Sequence, residues 1–600
     1  MLCTSRLPHR TDSPRCAWGA PLAGRGHETR ARASTCASRA APPHAARASP
    51  PRRAAAAGGP FAPLPLPPPP PPSSHHPYPL IPPVQSLMSK LLKKAAGKLE
   101  DYAASRASSG SGGGAASSSA PPPSTPLDVL PSRRDILLHR QQRGVNLGSL
   151  FALEPWLTPS LFEGVASADS EMDLLRALPA AEARERLERH WRGFLDAGDW
   201  KWMREHGINT VRLPLLYVHF CASQAPQLLR HTEYAPYVDV YAGAWAHVER
   251  VLAQAAQHDI GVLVDLHGAP GAQNADGHSG LSGAKVQLWD GHAAAQNQTR
   301  TVEILVALAS SLAPHEHVVG LELLNEPRNG ATLQAFYERA AGAIRGAGVH
   351  MPLYLADGWD APHYAQLVAR REDFCVLDTH VYRCFTKDDH SHSASSHARS
   401  MRPGGASHGM LSHWSTAAQR SLVVGEWSAA LNPASLHNCG DAKEAQREYA
   451  HAQLALFEET CAGAYFWTLK KEGGADPGWC LYTAIEQGIL PSSLHPLASA
   501  SAPSAEVLLR ARHAAHEAHR TYWAAHGAGD GAHEAFAEGF AQATKDAAAF
   551  WQCDRSTVGF TQQWRRTRTQ AYEKAKRSSN EWEYAHGFAQ GIGAFKDALK

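Results

Sequence analysis

Between residues 143 and 470 eight short apolar runs recur, most of them separated by a stretch of helical texture. They are RGVNLG (143–148), TVRLPL (210–215), GVLVDLHG (261–268), VVGLELLNEP (318–327), PLYLADGW (352–359), FCVLDTHVY (374–382), SLVVGEW (421–427) and AYFWTLK (464–470). Largely apolar runs suit strands covered on both faces. Parallel strands also need long crossovers, such as AWAHVERVLAQAAQHDI and LQAFYERAAGAIRGAGVH. Eight such units in roughly 365 residues predict an α/β chain closed into a (β/α)8 TIM barrel, placed here at residues 131–500. An open doubly wound sheet fits less well. VNLGSL is not the G-x-G-x-x-G turn that cradles a dinucleotide, and GHSGLSGAK lacks the spacing and ending of a P-loop.

In a barrel of this kind the chemistry collects at the C-terminal ends of the strands. The second run offers Arg212, the third Asp265 and His267, and the fourth Asn325 and Glu326. The sixth offers His380 and Tyr382, the seventh Glu426 and the eighth Trp467. Ionisable groups at so many strand ends argue for an enzyme, because a buried charge without a partner is costly. Singly, each residue has a structural reading. Arg212 suits an ion pair with a glutamate inside the barrel, and His267 suits ordinary packing. Asp265, two residues before His267, shares its face if the strand is regular.

Glu326 and Glu426 are far apart in sequence, and barrel closure would bring their ends together. Two facing carboxylates suit glycoside hydrolysis, one protonating the leaving oxygen while the other attacks the sugar or activates water. Like charges held close separate the two titrations. Asn325 is placed to hold a sugar hydroxyl, and Trp359, Trp427, Trp467 and Trp479 offer flat faces for pyranose rings. These candidates contain no HExxH and no close histidine pair with a carboxylate at ligand spacing, and no CxxC occurs, so neither metal nor cofactor is expected. Ser149 and Ser428 lack the G-x-S-x-G elbow of a serine hydrolase.

RGVNLGSLFALEPWLTPSLFEG, INTVRLPLLYVHF, VDLHGAPGAQNADGHSG, LELLNEP, GEWSAAL and YFWTLK resemble the fungal exo-β-1,3-glucanases (glucan 1,3-β-glucosidases) of glycoside hydrolase family 5, over residues 135–490. The resemblance implies that Glu326, in the NEP motif, is the general acid/base and Glu426, in GEW, the nucleophile of a retaining reaction. It assigns substrate contacts to Arg212, His267, Asn325, His380 and Tyr382. It further implies that Trp467 and Glu154 line the subsite of the non-reducing sugar. Relatives usually read NLGGWL where this chain has NLGSLF, so Ser149 and Leu150 replace a glycine and an aromatic, which implies altered packing behind the sugar pocket.

The flanks read differently. Residues 1–130 are low-complexity and predicted to be largely disordered, with a proline tract at PFAPLPLPPPPPPSSHHPYP and a flexible spacer at SSGSGGGAASSSAPPPSTP. A short amphipathic helix is expected at 88–103. Residues 1–60 contain ten Arg, no Lys and two acidic residues, without an apolar signal core. This favours a cytoplasmic protein, with the cell exterior or wall as the alternative if the true start lies elsewhere, for example at Met88. Free thiols are expected on the same ground. Residues 501–600 are predicted helical, with GFAQ at 539–542 returning at 587–590 as a degenerate repeat. A small bundle packed on the barrel is the plain reading and a protein-partner module the alternative.

The balance of 58 basic and 56 acidic residues gives no ground for nucleic-acid binding, and no run is long enough to span a bilayer. Three readings stand. The first is a retaining exo-β-1,3-glucanase releasing glucose from non-reducing ends, with transglycosylation as a side path. The second is a β-glucosidase acting on another glucoside such as a glycolipid. The third is a non-catalytic glucan-binding scaffold. Oligomeric state is not legible in the sequence.

Overall fold

A computed structural model describes residues 126–127, 129–283, 285–437, 439–526, 533–577 and 580–600. The proline and serine tracts and the helix expected at 88–103 lie outside the described residues. The eight runs form strands β1 (Gln142–Asn146), β2 (Thr210–Leu216), β3 (Gly261–Gly268) and β4 (Val318–Glu322), then β5 (Leu353–Ala356), β6 (Cys375–Val381), β7 (Leu422–Trp427) and β8 (Gly463–Phe466). Each pairs in parallel with its sequence neighbour, and β8 returns to β1 through Gln142 opposite Gly463, so the barrel closes as expected. Helices such as Ala244–Gln257, Ala294–Leu312 and Leu333–Gly346 cover the outside. The strands are buried on both faces, which is why they read as unbroken apolar runs.

Inside the barrel, polar groups form successive tiers. Near the start of the strands, Gln142 bonds the hydroxyls of Tyr354 (3.0 Å) and Tyr465 (2.6 Å). The Tyr465 ring occupies the space that a Cβ on Gly144 would need, so a glycine is required there for close approach. Further along, Arg212, Asp265, Glu322 and Asp378 are all fully buried.

The opposite end of the barrel is closed by the C-terminal region. Phe560 packs with Tyr354, Phe374, Val376, Val423 and Tyr465. Val558 bridges Arg140 in antiparallel fashion, and Asp554 bonds Arg204 (2.8 Å). Four helices surround this plug: Ala505–Ala525, Glu534–Gln552, Thr561–Lys576 and Glu581–Asp597. They also take in the chain just before the barrel. Buried Arg568 grips Asp546 with two 2.8 Å bonds, stacks on Trp564 and donates to the carbonyls of Pro126 and Val129.

The GFAQ repeat accounts for the tightest contact in this region. A Cβ on Gly539 would overlap the carbonyl oxygen of Tyr584, and one on Gly587 would overlap that of Phe536. Phe536 and Tyr584 occupy equivalent positions in the two copies, so the second and fourth helices cross through a pseudo-twofold pair of glycines. Backbone cannot yield there as a flexible side chain would. Gly587→Ala and Gly539→Ala should each cost about 1–3 kcal/mol. Thermal melts would register this as similar falls in Tm, whereas unchanged melting would show that the crossing is loose.

Two further observations bear on the expectations. The cysteines of the described residues, Cys221, Cys375, Cys384, Cys439, Cys461, Cys480 and Cys553, are free thiols. Among the described residues no helix is long and apolar enough to cross a membrane.

Candidate active site

The site is built around Arg212, on β2. Its guanidinium donates Nε to Glu322 (2.8 Å), Nη1 to Asn146 (3.1 Å) and Glu426 (3.0 Å), and Nη2 to Asn325 (2.8 Å). Asp265 lies 3.2 Å from Nη2. The ion pair with a barrel glutamate considered from sequence is therefore real, with Glu322 as partner. Arg212 also reaches Glu426, so one side chain serves both packing and site. The other oxygen of Glu426 accepts from the Tyr382 hydroxyl (2.8 Å). Asn325 faces Arg212 and His278 rather than open space.

Glu326 does not end a strand. β4 stops at Glu322, and LLNEP leaves it as a turn in which Glu326 takes a φ of +41°. A non-glycine residue in that region is strained and persists only where its surroundings fix it. The loop after β3 does so: Gln273 donates to the Asn325 carbonyl (3.1 Å) and Asn274 to that of Glu326 (2.9 Å). The Asn325 amide in turn donates to Leu266 O (3.0 Å).

Between the two glutamates stands His380. Its Nδ1 is 2.7 Å from Glu326 Oε1 and 3.5 Å from Glu426 Oε2. Oxygens of Glu326 and Glu426 lie within 4.8 Å of one another. Burial disfavours charge on His380, but Glu426, Asp378 and Glu326 outweigh it and raise its pKa well above the usual range. Burial likewise pushes Glu326 up, yet His380, His278 and His267 prevail and hold it low, at about 2. His278, raised to about 9 against its own burial by Asp276, Glu326 and Glu154, lies 3.4 Å from the second oxygen of Glu326. The proton of the Glu326–His380 pair thus rests on the imidazole, one hydrogen bond from the carboxylate.

His267 accepts the role of a polar link. Its Nδ1 meets Asp265 Oδ2 at 2.7 Å, as the shared strand face required, and its Nε2 lies 3.3 Å from His278. Trp467, just beyond β8, lies parallel to the His267 ring at 5.9 Å. Glu154 takes one bond from Trp156 (2.8 Å), while its Oε1 is buried with no partner among the described residues. Burial raises its pKa to about 7 despite His278 and Trp156. Ser149, at a φ of +60°, receives the Glu154 amide on its hydroxyl (3.0 Å) and bonds Thr158 (2.6 Å), so this serine positions Glu154.

The rim is aromatic: Trp479 packs against Trp156, Tyr382 and Phe385. Beside His380 and Tyr382 opens a groove of about 1570 Å³, which passes exposed Trp359 (64%) and Phe385 (56%) and is not lined by Glu326 or Glu426. Trp427 corrects the sequence expectation. It is 1% exposed and packs edge-on against Phe457 and Phe466 in the shell, because its side chain falls on the outward face of β7.

Sequence reasoning did not single out His278, Asp378, Asn146, Gln273, Trp156 or Phe385 for the site. For Asp378 a signal existed: Asp-x-His occurs in both DLH (265–267) and DTH (378–380), each placing an acid beneath a histidine. His278 sits in a loop without periodicity and offered none.

Residues 185–473 match the cellulase family (glycosyl hydrolase family 5), and residues 507–599 match the glucan 1,3-beta-glucosidase 3 C-terminal domain. Glucan 1,3-beta-glucosidase 3 of Schizosaccharomyces pombe is 30% identical over 463 residues, covering 76% of this chain and 95% of that protein. An uncharacterized glycosyl hydrolase of Saccharomyces cerevisiae is 28% identical over 79% of this chain and 95% of its own length. A probable glucan 1,3-beta-glucosidase A of Aspergillus clavatus is 29% identical over 61% of this chain and 92% of its own. The chain belongs to glycosyl hydrolase family 5 and is an O-glycoside hydrolase that carries, behind its barrel, the C-terminal domain of the glucan 1,3-beta-glucosidase 3 type.

Proposed function

We propose that the chain is a retaining, exo-acting β-1,3-glucosidase that releases glucose from the non-reducing ends of β-1,3-glucans by double displacement. The observation that carries this reading is the separation of the carboxylates. Oxygens of Glu326 and Glu426 within 4.8 Å fit the roughly 5–5.5 Å of a retaining pair and leave too little room for the water of an inverting one. Glu426, held by Arg212 and Tyr382, attacks the anomeric carbon. Glu326 delivers a proton to the leaving oxygen and then takes one from water. His380 holds that proton 2.7 Å away, and entry of substrate between the charges moves it onto Glu326.

The buried, unpartnered Oε1 of Glu154 supports a subsite for a sugar hydroxyl. The parallel rings of His267 and Trp467 supply flat faces for the sugar in this reading.

The test is the time course of laminarin digestion followed by NMR and chromatography. Glucose as the sole early product, formed first as the β-anomer, is the expected result. Oligosaccharides from the start would sink the exo assignment, and α-glucose as first product would sink retention. A second reading, a β-glucosidase for an apolar glucoside such as a glycolipid, draws on exposed Trp359 and Phe385 along the groove. Faster turnover of glucolipids or aryl β-glucosides than of laminaribiose would favour it.

A further inference from the structure

The one fully buried residue of the first C-terminal helix, Ala505–Ala525, is a histidine, His519. Helices usually dock through apolar side chains, yet here Val507 and Leu509 are exposed. His519 lies face to face with Phe536 at 4.2 Å, and its side chain is only 2% exposed, but its Nε2 has no hydrogen-bond partner among the described residues. Opposite stands Glu583 of the fourth helix, with its Oε1 3.9 Å from that nitrogen. The same oxygen meets His533 Nδ1, just before the second helix, at 2.5 Å. The His533 and Glu583 side chains are each 8% exposed, and His533 Nε2 is also without a partner among the described residues.

Three metal-ligating side chains from three segments thus converge, with donor atoms within 4.8 Å of one another. The gap between His519 Nε2 and Glu583 is too long for a hydrogen bond. It is close to the roughly 3.4 Å that separates two ligands of a tetrahedral ion bound at about 2.0–2.1 Å. An ion there would replace the 2.5 Å hydrogen bond between His533 and Glu583 and draw His519 toward Glu583.

We propose that His519, His533 and Glu583 bind a divalent transition-metal ion of the zinc class. Two imidazoles and a carboxylate are a ligand set of that class, with water or a neighbouring histidine in the fourth position. The His586 ring stands 5.3 Å from that of His519. The ion staples the first C-terminal helix to the second and fourth, and adds to the contacts that Leu508, His516 and Trp523 make with them. The ligands come from positions 519, 533 and 583, which is why spacing in the sequence does not announce them.

The test uses the untagged full chain, stripped with chelator and then dialysed against Zn²⁺ or Co²⁺. A single ion retained per chain, visible d–d bands of tetrahedral Co²⁺, and a Tm several degrees above that of the stripped protein are expected. His519→Gln and Glu583→Gln should lose all three signals, while Glu426→Gln retains them. His533→Ala provides the same readout where a core variant fails to fold. Equal metal content and Tm in stripped and loaded protein would overturn the proposal. So would an ion that survives His519→Gln and His533→Ala but disappears with Glu426→Gln, since it would then sit at the barrel centre.

Discussion

Glu426→Ala is expected to lower laminarin hydrolysis on the order of 100,000-fold, the scale on which removal of a nucleophile acts. The stereochemistry of rescue then separates the two carboxylates. Azide entering the space left by Glu426 attacks from the face opposite the leaving group, and the product is the α-glucosyl azide. Azide in the space left by Glu326→Ala meets the glycosyl-enzyme from the leaving-group side and gives the β-azide. Glu326→Ala should keep most of its kcat/KM on a dinitrophenyl glucoside, whose leaving group needs no proton, and lose about 100- to 10,000-fold on laminarin. Crossed outcomes, with the β-azide from Glu426→Ala, would exchange the two roles. Undiminished hydrolysis by both variants would remove them from the mechanism.

The proton economy of the site explains why geometry alone does not assign those roles. Three carboxylates, Glu154, Glu326 and Glu426, meet two imidazoles, His278 and His380, in a buried space. In the substrate-free site both imidazoles hold their protons, and Glu326 is the anion. A general acid needs the reverse. In the proposed double displacement, a neutral sugar over His380 excludes water from the pair, and consumption of the Glu426 charge by the covalent bond removes one of the anions that raise the His380 pKa. Under that proposal the same His380 stores the proton and responds to the state of Glu426.

Much of this was legible in the sequence because barrel strands announce themselves twice, as apolar runs and as polar residues at their ends. β2, β3 and β6 carry Arg212, His267 and His380 where the runs predicted, since period-two alternation fixes which residues point inward. Trp427 was read as a sugar platform although the same alternation turns it outward, since it follows Glu426. Glu326 was read as a strand end, whereas it lies in a strained turn fixed by Gln273 and Asn274 from another loop. His278 was invisible for a related reason. Its place depends on how the loop after β3 folds back over β4, and loop packing leaves no periodic trace. The closure of the barrel by Phe560 needed tertiary contacts across more than half the chain.

Arg212→Met should be the most destabilising substitution in the site. The arginine is fully buried, as are Glu322 and Asp265, and among the described residues no other side chain forms an ion pair with Glu322 within 4.0 Å. Removing one partner of such a buried set typically costs about 3–5 kcal/mol, because the remaining carboxylates lose their compensation. A fall in Tm of roughly 10 °C is the expected measure. The loss should grow with pH. Burial already raises the Glu322 pKa well above that of a free glutamate, and Asp265 and Asp378 add to the rise, with Arg212 opposing. A raised native pKa gives stability that is present at low pH and lost as pH rises through it. Without Arg212 more carboxylates join that class, so the variant should approach the parent near pH 5 and fall furthest behind near pH 8. Arg212→Lys tests geometry against charge. An ammonium restores the charge but cannot serve Glu322, Asn146, Asn325 and Glu426 from one planar fork. It should recover much of the Tm while kcat/KM stays low, since Glu426 loses its 3.0 Å donor. Parent-like melting of Arg212→Met at pH 8 would mean that the carboxylates beneath the site are protonated in the native protein, and that Arg212 acts on Glu426 alone.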